Sequence, residues 1–62
     1  MTYRIDDLKT LARMSDEHRT SYLEGARNEA VMIGTRTQYE RAKWLLTWTP
    51  SDWQRELEKV RG

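Results

Sequence analysis

The side chains that could do chemistry are few and scattered. The one imidazole is His18, and the hydroxyls near it in sequence are Ser15, Ser21 and Tyr22. A histidine acting as general base needs a nucleophile fixed within hydrogen-bond reach, and Ser15 reads better as a helix N-cap. Asp6 and Asp7 form an adjacent carboxylate pair that could divide acid and base roles. Acids at a helix start, however, complement the helix dipole. Glu17-His18 does not extend to an H-E-x-x-H pattern, and one His with scattered carboxylates and no Cys makes no zinc site. Gly25, Gly34 and Gly62 lie too far apart for a phosphate-cradling loop. The sequence thus points to no catalytic residue, no metal and no cofactor, and to a protein that is not an enzyme.

The elements that carry these side chains must come from a short chain. Its 62 residues allow a single domain spanning 1–62, and a domain of that size buries only about 60% of its unfolded surface. Disulfides, a metal or a partner subunit usually compensate. With no Cys and one His, a partner is the remaining candidate. Eleven basic and ten acidic side chains nearly cancel, with five and six up to Thr35 and six and four after it. That interspersion is typical of solvated helix surfaces rather than of a nucleic-acid footprint. No apolar run approaches the roughly 18 residues of a membrane span, and "MTYRIDDLK" lacks a signal peptide's apolar core. A cytoplasmic protein without a membrane partner is the expectation.

Periodicity predicts an all-α fold. Ile5, Leu8, Leu11 and Ala12 share one helical face, although Tyr3 and Ile5 alternate with polar neighbours and leave a short strand open. Ser15, followed by Asp16 and Glu17, starts a second helix. Along it, Leu23, Ala26, Ala30, Ile33 and Thr37 follow the 3-4 spacing of a heptad seam. Ala26, Ala30 and Gly34 recur every fourth residue, so another backbone could approach there, from the same chain or from a second copy. The reading leans to one continuous helix from about 16 to about 46, roughly 45 Å long at 1.5 Å per residue. The alternative is a break near Gly34, with Thr37 and Glu40 as the capping box of a new helix. The continuous form requires a partner. The expected architecture is a helical hairpin or small bundle with one long helix, completed by homodimerisation, and a charge at the seam's centre, as in Ala30→Glu, should abolish self-association.

The stretch "WTPSDW" (48–53) carries the strongest local signal. With Thr49 as N-cap, Pro50 takes the first helical position, and Asp52 can reach back to the cap. Trp48 and Trp53 then occupy the two positions of a hydrophobic staple. Trp53, Leu57 and Val60 continue down one face of the last helix. Trp44, Trp48, Trp53 and Leu57 are therefore expected either as a core corner or as a partner-binding cluster.

These residues support a small non-enzymatic helical protein with regulatory and protein-interaction roles, self-associating through the seam and binding a macromolecule. The alternative is a DNA-binding transcriptional regulator, because a helix, a tight turn and a second helix from Pro50 share the outline of a helix-turn-helix corner. The acids of Pro50-Ser51-Asp52-Trp53-Gln54-Arg55-Glu56 would then face phosphates, so nucleic acid is the less favoured partner. In size and style, the Met-Thr start, the Arg/Glu-rich helices and the tail "KWLLTWTPSDWQRELEK" resemble the short accessory proteins of the early regions of temperate lambda-type bacteriophages. That resemblance implies a modulator of phage or host development and transfers no functional residue.

Overall fold

The computed structural model describes residues 3–61, with side chains from 3 to 59. Four helices follow one another: α1 (Leu8–Arg13), α2 (Asp16–Ile33), α3 (Arg36–Leu45) and α4 (Pro50–Arg61). Among the described residues there is no strand. Tyr3 and Ile5 lie in an extended segment before α1, and its lack of a strand partner closes the alternative read from their alternation.

Three of the four helix starts are closed by a side chain. The Asp7 carboxylate accepts the Thr10 N–H at 3.3 Å and the Thr10 hydroxyl at 2.8 Å. Asp7 is thus the N-cap of α1 and not a member of its first turn. Ser15 Oγ accepts the His18 N–H at 3.2 Å, with Asp16 and Glu17 in the first turn of α2 as expected. At α4 the Thr49 hydroxyl accepts the Asp52 N–H at 3.3 Å, while Asp52 accepts the Thr49 N–H at 2.9 Å. That reciprocal pair is the capping box read from "TPSD".

The continuous helix is corrected. α2 stops at Ile33, and Gly34 adopts the left-handed conformation, φ 74° and ψ 26°, where an L side chain would be strained. Behind it the Thr35 N–H returns to Ala30 O at 3.0 Å, so the last turn closes on itself. Thr35, with no side-chain hydrogen bond, stands as N-cap of α3. Thr37 and Glu40 lie inside α3, so the capping box proposed for them does not form. The reason for the break is packing. Folding back at Gly34 lays α3 along α2 within a body 36 Å long, whereas a 31-residue rod would be about 45 Å long and leave its apolar stripe in water.

With α2 and α3 paired, α1 packs against α4. Ile5, Leu11, Ala12, Leu23, Ala26, Ala42, Leu45 and Trp53 form the buried core. The alanines on α2 and α3 are small enough for the two backbones to close up. Arg19 is 5% exposed and ties the first turn of α2 to the end of α1. Its guanidinium donates to Leu11 O at 3.3 Å and Met14 O at 2.9 Å, pairs with Asp16, and lies 4.6 Å from the Trp53 ring centroid. Buried charge needs such full pairing.

The segment from Tyr3 to Asp7 crosses the α2–α3 hairpin as a strap. Arg4 N–H donates to Tyr22 Oη at 2.7 Å, and Arg41 Nε donates to Ile5 O at 2.9 Å. The Tyr3 ring meets Tyr22 edge-on at 4.9 Å and covers Gly25, where a Cβ would come within 2.6 Å of Tyr3 Oη. Glycine sits mid-helix here because the strap occupies the space a side chain would need.

Candidate functional site

Two surfaces, at opposite ends of the α2–α3 hairpin, hold the exposed apolar side chains. The first is the corner between α3 and α4. Trp48 and Trp53 meet with ring planes tilted by 44° and centroids 4.5 Å apart, making the contact the staple requires, and Trp44 meets Trp48 edge-on at 5.2 Å. Trp53 is buried in the core, Trp48 and Leu57 are half-buried, and Trp44 is 52% exposed. The predicted cluster therefore grades from core to surface across three rings. Val60, the last residue predicted for that face, lies outside the described side chains.

Along α4 the corner continues into an open cleft of about 510 Å³, lined by Trp44, Thr47, Trp48, Asp52, Arg55, Glu56 and Lys59. Arg55 Nη2 pairs with Asp52 at 2.7 Å and Lys59 Nζ with Glu56 at 3.5 Å. The Asp52 carboxyl is held below the usual carboxylate range by the hydrogen bonds it accepts from the Thr49 backbone and hydroxyl, with smaller help from Arg55. Asp7 is lowered likewise, first by the Thr10 hydroxyl. In both cases the charged form gains hydrogen bonds that the neutral form weakens.

The second surface is the tip at Gly34. Val31, Met32 and Ile33 are 63%, 86% and 65% exposed. Shallow hollows flank them. One, of about 220 Å³, runs from Tyr3 past Ala30 to Ile33 and Gln38, and the other, of about 250 Å³, lies between Val31, Gly34 and Tyr39.

The structure divides the predicted seam. Leu23, Ala26 and Ala30 are buried inside the chain, whereas Ile33 and Thr37 are exposed, Thr37 on a different helix. The small-residue approach thus serves the chain's own α3, and the five residues do not form one free face. A charge at Ala30 would disrupt the hairpin itself, so Ala30→Glu no longer reports on self-association. Sequence reasoning missed Val31 and Met32 because it followed the stripe. The unbroken apolar run from Ala30 to Ile33, immediately before a glycine that ends a helix, was the available signal.

Ser15 Oγ is engaged as a cap, the Tyr22 hydroxyl accepts from Arg4, and His18 is exposed. Among the described residues no three His, Cys, Asp or Glu side chains cluster to hold a metal, and no helix is long and apolar enough to cross a membrane. Set against known proteins, the chain matches no family model, no curated protein and no solved structure.

Proposed function

We propose that this chain is a non-enzymatic helical interaction protein whose target-binding end is the Val31-Met32-Ile33 tip. One observation carries the reading: three consecutive large apolar side chains stand in water where the hairpin turns. Successive helical residues project about 100° apart, so these three ring the helix end through about 200° instead of forming a flat face. A ring of that shape is a knob, and its complement is an apolar socket on another protein. Contiguous exposed apolar surface marks interaction sites, whereas isolated exposed side chains need no explanation.

The resemblance to short phage accessory proteins supplies the context for the proposal, a modulator acting on a phage or host macromolecule. Direct DNA readout by α4 has less support. In the first turn Pro50 has no N–H to offer, the Asp52 N–H donates to the Thr49 hydroxyl, and the Asp52 carboxylate stands where a phosphate would approach.

The test places a photo-crosslinking residue at position 32 and, as control, at the exposed Asn28. The expected result is a defined adduct from 32 alone, whose purified partner binds the parent and binds Val31→Ser/Met32→Ser/Ile33→Ser at least about tenfold more weakly. Equal adducts from both positions, or unchanged binding by a folded triple variant, would overturn the reading.

A further inference from the structure

The α4 side of the cleft has a charge order that the tip does not share. Asp52, Arg55, Glu56 and Lys59 fall at i, i+3, i+4 and i+7, one face of the helix. Their signs run negative, positive, negative, positive. Read backwards, the order is inverted. When two such helices lie antiparallel about a two-fold axis centred between Arg55 and Glu56, Asp52 faces Lys59 and Arg55 faces Glu56, each twice. All four contacts join opposite charges, and an isologous interface has this property of complementing itself.

The same cleft supplies an apolar anchor. Trp44 lines it beside these four residues and is 52% exposed although Trp48 and Trp53 behind it are progressively covered. Tryptophan at the edge of a charged rim is the composition of an interface centre. Arg55 and Lys59 keep 70% and 75% of their side-chain surface, so both reach outward and can exchange their intrahelical partners for partners across an interface.

We infer that two copies of this chain pair through antiparallel α4 helices, with Trp44 from each copy filling the cleft of the other. The occupant of the cleft is a second copy because this helix, reversed, complements all four of its own charges. The pairing goes beyond the tip reading and stands without it, since it uses neither Val31, Met32 nor Ile33. It also replaces the seam on α2, most of which is buried within the chain, by a surface that is open in the folded protein.

Charge-swap complementation tests it on the full chain by sedimentation equilibrium at low ionic strength. Arg55→Glu sets Glu against Glu56 across the axis, and Glu56→Lys sets Lys against Arg55, so each variant alone should sediment as a monomer at concentrations where the parent is a dimer. Mixed in equal amounts they restore both contacts, and the dimer mass should return. Trp44→Ala should raise the dimer dissociation constant at least about tenfold while leaving the melting curve of the dilute monomer in place. Raising salt should weaken the parent dimer. A parent that stays monomeric throughout, a mixture no more associated than its components, or single variants that dimerise like the parent would each overturn the pairing. The mixing experiment guards against misfolding, because two unfolded variants could not rescue each other.

Discussion

At the corner end of the α2–α3 hairpin Trp53 is buried beneath Arg19, Trp48 leans on it, and a reciprocal Thr49–Asp52 pair closes the start of α4. At the tip end Met32 stands almost fully in water, and α3 begins at Thr35 without any side-chain cap. The corner thus gathers caps, buried rings and polar pairing, whereas the tip has the Gly34 turn but no side-chain cap for the helix that follows. A chain of 62 residues has a stability on the order of 3–9 kcal/mol. Concentrating that stability at one end leaves the other free to present apolar side chains without endangering the fold.

Substitutions at the two ends should therefore differ in size. The largest effect is expected from Trp53→Ala, which opens a cavity in the core and removes the ring under Arg19. A loss of about 3–5 kcal/mol should appear as the largest drop in urea midpoint, followed by circular dichroism. Arg19→Met keeps the apolar stem but strips the donors from Leu11 O and Met14 O, and urea titration should show about 2 kcal/mol lost. Thr49→Ala removes one half of the capping box and should cost about 1 kcal/mol.

Acid should act on the capped helix starts. The folded-state pKa values of Asp52 and Asp7 are depressed, so their contribution is complete above the ordinary carboxylate value of about 3.9. It fades as pH falls below that value and through the folded pKa. Thermal melts between pH 7 and pH 2 should show this loss in the parent, and Asp52→Asn should reduce it. The smallest change is expected at the tip, where replacing Val31, Met32 and Ile33 together by Ser should alter stability by less than about 1 kcal/mol. A tip loss matching that of Trp53→Ala would erase the contrast between the ends.

Legibility in the sequence followed the same division. The corner could be read residue by residue because "WTPSDW" encodes cap, proline and staple within six positions, all settled by neighbours in the chain. Ser15 was legible for the same reason. Gly34 was ambiguous because helix-forming residues flank it on both sides, and the decision to turn rests on Leu23 and Ala26 of α2 joining Ala42 and Leu45 of α3 in one core. Tertiary packing outweighed local propensity there. The burial of Arg19 and the course of the strap could not be read from periodicity, since Arg19 answers to backbone carbonyls and the strap to Tyr22, Gly25 and Arg41, all brought near only by the fold. The apolar tip was overlooked because a heptad search retains residues on the stripe and discards those at one and two positions beyond it.

The strap has a consequence for the order in which the chain can assemble. Most contacts in a helical hairpin join residues close in sequence and form quickly. The bond from Arg41 to Ile5 spans 36 residues, and closing such a loop must wait for both helices of the hairpin to be in place. During synthesis Ile5 emerges long before Arg41 does, so its carbonyl has no partner until α3 has been made. The strap is thus the last part of the hairpin to be locked, and once locked it ties α2 and α3 together.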